Sequence, residues 1–147
     1  MPFVEVFVPR GSLREDQRAR LSEELVAEVM HVEGAPDTAA ARSISWLVFQ
    51  DVDAWSVGGR PVTADEPARY VVRVSVPAGS LDDDKRAEMM RRVTAVLAKA
   101  DDDPDRLSSE PSAWVHIVEI PDGNWGVFGR VVRLPDIINF VIEQQPA

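Results

Sequence analysis

The chain has 147 residues, 45% hydrophobic and 28% charged, with a formal net charge of −9 and no cysteine. A single soluble domain with one core fits that length and composition. Disulfides, thiol nucleophiles and thiolate metal sites are excluded, and the acidic balance argues against a nucleic-acid partner, which requires a basic surface. No apolar run approaches the length of a membrane span, and no basic segment followed by an apolar block opens the chain. The expected location is therefore cytoplasmic, with no membrane partner.

The opening stretch, MPFVEVFVPRGSL, alternates Val4, Val6 and Val8 with Phe3, Glu5 and Phe7, the period of a strand with two different faces. Pro2 admits two readings. It is tolerated at the first position of a strand, and after removal of Met1 it would present a secondary amine able to act as a base. Pro9-Arg10-Gly11 ends the strand, and Ser12 with Glu15 has capping-box spacing that predicts a helix from there. Leu21, Leu25 and Val29, with Val26 and Met30, give that helix an apolar stripe. A Pro-containing loop and then ISWLVFQDV predict a second strand.

Sliding the sequence against itself by 68 residues aligns VFVPRGSLREDQRA with VSVPAGSLDDDKRA, and Trp46 with Trp114. Two copies are too few for a solenoid, so the chain is a duplicated unit. The second copy predicts a strand over Tyr70 to Val76 and a helix from about Leu81 to Lys99. The stripe of that helix is Met89, Met90, Val93, Val96 and Leu97, and a further strand covers Ala113 to Ile120. The acidic run from Asp82 to Asp84 suits a helix N-terminus, and Asp101 to Asp105 a solvated turn. Neither has calcium-loop spacing, so no metal site is expected.

A strand joined to a strand through a helix is ordinarily a right-handed crossover onto a parallel neighbour. Two such units predict an α/β (α+β) domain: a four-stranded mixed sheet with both helices on one face, built from pseudo-repeats over about 2–62 and 70–134. Ferredoxin-like domains share this order of elements. The bare sheet face requires a cover, and oligomerisation supplies one economically. Each half closes with a Trp/Gly segment, DAWSVGGR or DGNWGVFGR. Trp55 is expected to plug the edge of the core. Trp125 and Phe128, among glycines, suit a ligand site. The tail LPDIINFVIEQQPA is open between strand, helix and swapped arm, with Pro135 suggesting a break.

These features together resemble the tautomerase superfamily: the Met-Pro start, VPxGSL opening a helix, the duplicated βαβ unit and the terminal Trp-Gly-x-Phe-Gly-Arg segment. The stretch AWVHIVEIP…VFGR is similar to cis-3-chloroacrylic acid dehalogenase, and NWGVFGR to malonate semialdehyde decarboxylase. The resemblance implies a homotrimer and a cofactor-independent tautomerase in which Pro2 is general acid and base toward a small-molecule substrate, an enolisable keto acid. Tyr70 stands at the Pro2-equivalent position, which leaves one such site per chain. Arg10, Arg73 and Arg130 are the candidate carboxylate-binding residues, since an arginine fork grips both oxygens. Arg73 could instead pair with Glu5 on a neighbouring strand. His116, Trp125 and Phe128 complete the expected substrate-binding set. The arginines of the dehalogenase and decarboxylase fall at Pro77 and Ser80, and the water-activating glutamate of the dehalogenase falls at Val127. The alternatives are a non-catalytic small-ligand-binding or interaction protein on the same fold, and a dehalogenase-like or decarboxylase-like lyase.

Overall fold

The computed structural model describes residues 2–143. The alternating valines form β1 (Phe3–Pro9). The helix that follows, α1 (Glu15–Glu33), starts later than Ser12. The Ser12 hydroxyl donates to the Pro9 carbonyl at 2.6 Å, closing the turn, while the Arg14 backbone N–H donates to the Gln17 side chain at 2.9 Å. Leu13 buries itself in the core between these two events. A short α2 (Ala39–Ser43) occupies part of the loop and leads into β2 (Trp46–Val52). The first Trp/Gly segment is a small hairpin of β3 (Ser56–Val57) and β4 (Arg60–Pro61).

The second half repeats this order with β5 (Tyr70–Pro77), α3 (Asp83–Ala100), a one-turn α4 (Arg106–Ser109) and β6 (Ala113–Ile120). Its own hairpin follows, of β7 (Gly126–Val127) and β8 (Arg130–Val131). Asp82 caps α3 by accepting from the Lys85 N–H at 2.8 Å, with Asp83 and Asp84 in the first turn where the helix dipole favours them. Asp101 departs from the solvated-turn expectation. It is buried and holds the Arg106 guanidinium at 2.6 Å and the Tyr70 hydroxyl at 2.8 Å.

The four long strands form one mixed sheet ordered β2-β1-β5-β6, with β1 and β5 antiparallel in the middle and β2 and β6 parallel to them. Glu5 faces Arg73 in the central register, and these two positions are also equivalent in the 68-residue repeat. The pseudo-two-fold axis therefore passes between them. Val4, Val6, Val8, Val72, Val74 and Val76 are fully buried beneath the stripes of α1 and α3, which pack on one face. Burying such a valine stabilises the fold by about 1.5–3 kcal/mol. Met90, expected in the stripe, is 37% exposed.

The tail is a helix, α5 (Leu134–Glu143). Pro135 lies in its first turn, where a missing N–H costs nothing, so it begins the helix and does not break it. Val141 packs with Met30 and Ala41 on the helical side of the molecule, and the opposite sheet face stays open. Residues 144–147 and Met1 lie outside the described residues, so the retention or removal of Met1 does too.

Candidate active site

The position of Pro2 follows from the sheet. Its carbonyl accepts a hydrogen bond from the Trp46 backbone N–H at 3.1 Å, extending the β1–β2 ladder to the first described residue. Because β5 runs antiparallel to β1, the C-terminal end of β5 is brought beside Pro2, with Ser75 paired to Phe3. The hairpin after β6 closes over the same end. The result is a cavity of about 550 Å³ with buried Pro2 in its wall, enclosed by Phe3, Ile44, Trp46, Ile120 and Trp125. Its polar side chains are those of Ser43, Ser75 and Asn124, and no ionisable side chain lines it. Val127, at the position of the dehalogenase glutamate, does line it. Among the described residues, no carboxylate lines the cavity.

The expected residues divide among four places. Pro2 and Trp125 share the cavity. Arg73 and His116, neighbours in the β5–β6 register, line a separate concavity on the open sheet face with Phe7, Val71 and Trp55. Trp55 thus covers the open face and does not plug the core edge. Arg10 lies at the far end of β1, paired with Asp53, and does not approach Pro2. Arg130 stands on β8 beside Trp125 and Val127, on the hairpin that walls the Pro2 cavity. Phe128, at the hairpin tip, is 82% exposed and does not enter the cavity.

The two hairpins turn alike. Gly58 and Gly59 in the first, and Phe128 and Gly129 in the second, all have positive φ, the primed turn that matches strand twist. Phe128 is the only non-glycine in that region among the described residues, with φ 56°, a conformation that costs roughly 1–2 kcal/mol for an L-residue.

Among the described residues, every arginine except Arg73 and Arg130 is ion-paired with a carboxylate. Both exceptions belong to the set expected to bind substrate. Glu5 opposes Arg73 in register, yet the two make no ion pair. Sequence reasoning missed Trp46, Ile44, Ser43, Ser75 and Asn124. Trp46 carried a usable signal, since laying the two strands of the first half side by side in parallel sets it next to Phe3.

The fold has counterparts among known proteins. Residues 71–134 match the family model described as Tautomerase enzyme. The fold superposes on a member of the cis-3-chloroacrylic acid dehalogenase family with a TM-score of 0.72 at 19% identity, covering 98% of this chain and 92% of that one. A native fused 4-OT gives a TM-score of 0.71 at 23% identity, covering 88% and 94%. A fused 4-OT solved as an asymmetric trimer gives 0.69 at 23%, with the same coverage. No curated protein sequence matches the chain. The chain takes the fold of these structures through both of its halves, and the Tautomerase enzyme model matches it over residues 71–134.

Proposed function

We propose that this chain is a cofactor-independent tautomerase in which Pro2, freed as an N-terminal secondary amine by removal of Met1, moves a proton on a small enolisable keto acid. The observation that carries the reading is the burial of Pro2 in the wall of a cavity lined by Phe3, Trp46, Ile120 and Trp125. Apolar surroundings favour the neutral form of an amine, the form able to accept a proton near neutral pH. In the direction enol to ketone, the neutral amine takes the enol hydroxyl proton and the resulting prolinium delivers it to carbon; in reverse, the amine takes the carbon-bound proton and returns it to the oxygen.

The apolar end of the substrate would occupy the cavity, with its carboxylate at the mouth near Arg130, the unpaired arginine on the enclosing hairpin. The same reading includes a homotrimer, as in the fused 4-OT trimer. Trp46 and Trp114, 66% and 63% exposed at the two outer strands, supply apolar surface for such an assembly.

A second reading, a non-catalytic ligand-binding protein, draws support from the lack of ionisable side chains in the cavity. Phenylenolpyruvate ketonisation separates the two. Turnover that falls at least about 10²-fold in Pro2→Ala supports proton transfer by the amine. Turnover that ignores the substitution, or none at all, moves the assignment to binding.

A further inference from the structure

Of the polar side chains beside Pro2, only two have hydrogen bonds left to give. The Ser43 hydroxyl donates to the Ala40 carbonyl at 2.6 Å, and the Ser43 carbonyl accepts from the Trp46 indole N–H at 3.0 Å. Ser75 and Asn124 differ. Among the described residues, neither the Ser75 hydroxyl nor the Asn124 carboxamide has a hydrogen-bond partner. A hydroxyl offers one donor and a carboxamide offers two, so uncommitted donors face a cavity otherwise walled by Phe3, Trp46, Ile120 and Trp125.

The backbone fixes where both residues stand. Ser75 pairs with Phe3, the residue after Pro2, and sits between buried Val74 and Val76. The Asn124 backbone N–H donates to the Pro121 carbonyl at 3.0 Å, and the next residue, Trp125, accepts at its carbonyl from the Val132 N–H at 2.9 Å. Asn124 is thus carried on a closed turn that leaves its side chain unused.

Both residues also distinguish the Pro2 end of the sheet from the opposite end. The 68-residue offset sets Ser75 against Phe7. In the first hairpin Trp55 takes the place of Trp125, its carbonyl accepting from Val62, and the residue before it is Ala54. The end of the chain's repeat that carries Tyr70 in place of Pro2 therefore has neither donor.

We propose that the Ser75 hydroxyl and the Asn124 carboxamide together hold the C2 oxygen of a 2-keto acid in the Pro2 cavity and donate to it as negative charge builds there. This rests on the reading of the Pro2 cavity as the substrate site and adds which groups hold the reacting oxygen. Once the amine has taken the enol hydroxyl proton, that oxygen is an enolate until carbon is protonated. Donors already aimed at it stabilise the charge without reorganising.

The test is isothermal titration calorimetry of the full chain with phenylpyruvate and with 3-phenylpropionate, which has the same ring and carboxylate and no C2 oxygen. The wild type should bind phenylpyruvate about tenfold or more tighter, the effect of two hydrogen bonds of ordinary net strength. Ser75→Ala and Asn124→Ala should each lower that ratio, and the double variant should bring it close to one. Affinity for 3-phenylpropionate should stay within about threefold throughout, which shows that the cavity keeps its shape. In Pro2-dependent ketonisation of phenylenolpyruvate, the double variant should lower kcat about 10²-fold. A ratio unchanged in the double variant, equal losses for both ligands, or a wild type that does not discriminate or binds neither would overturn the proposal. Turnover indifferent to Pro2→Ala, with the ratio lost in the double variant, would overturn the Pro2 reading and leave this oxygen site standing. Pro2-dependent turnover with an unchanged ratio would do the reverse.

Discussion

The Trp46 backbone N–H donates to the Pro2 carbonyl at 3.1 Å, while the Trp46 indole forms part of the wall beside the same proline. Anchoring and enclosure thus come from different parts of one residue. Trp46→Ala keeps the backbone bond and removes the wall together with the indole N–H bond to the Ser43 carbonyl at 3.0 Å, so it should raise KM for phenylenolpyruvate several-fold and leave kcat within about threefold, the pattern of lost uniform binding. A collapse of kcat at unchanged KM would mean that the indole acts on the reacting atoms.

Arg130 makes a substrate-dependent prediction in the same assay. Arg130→Ala should raise KM for a keto acid about tenfold, the loss of one charge-assisted contact. A neutral enolisable ketone of similar shape should be turned over equally well by the wild type and this variant. Equal losses on both substrates would show that Arg130 supports the hairpin and does not grip a carboxylate.

The buried group of Tyr70, Asp101 and Arg106 ranks two substitutions. Burial, together with the hydrogen bond to Asp101, pushes the Tyr70 phenol well above its usual range. Asp101→Asn leaves the Arg106 charge buried and unpaired and should cost about 3–5 kcal/mol. Tyr70→Phe leaves the Asp101–Arg106 pair intact and should cost about 1–2 kcal/mol. Urea unfolding of both variants checks the order, and a Tyr70→Phe loss as large as that of Asp101→Asn would contradict it.

Glu66 fastens the first hairpin, accepting from Arg60 at 2.6 Å and from Arg69 at 2.9 Å. The Arg60 hydrogen bond, with help from the Thr63 N–H and Arg69, holds the Glu66 carboxyl down at about 2, against an ordinary 4.5. A depressed folded-state pKa means the clasp contributes above the ordinary value and is lost as pH falls from 4.5 toward 2. Carboxyl-detected NMR should show Glu66 titrating near the lower value, and Glu66→Gln should abolish the acid dependence of hairpin order. Titration at 4.5 would show that the clasp does not form in solution.

Much of the architecture was legible because it is written twice. The 68-residue offset, the alternating valines and the apolar helix stripes carry period information that a single sequence exposes. The helix start at Glu15 was displaced because the Ser12 hydroxyl had a nearer carbonyl, at Pro9, than any helical N–H. The division of the arginines was not legible, because it depends on which strands pair. Antiparallel pairing of β1 and β5 brings Ser75 to Pro2, and no local pattern encodes that, whereas Arg10 is kept from Pro2 simply by the length of β1. Short two-residue strands and the single turn of α2 are likewise held by tertiary contacts and have no periodicity of their own.

The central claim is that Pro2 works as an amine, and intact mass of the turnover-competent protein tests it most directly. The account predicts a chain lighter by one methionine residue, with ketonisation activity that is lost when a residue is left in front of Pro2. Full activity in protein that retains Met1 would contradict it, because the Pro2 nitrogen would then be a tertiary amide with no lone pair to offer.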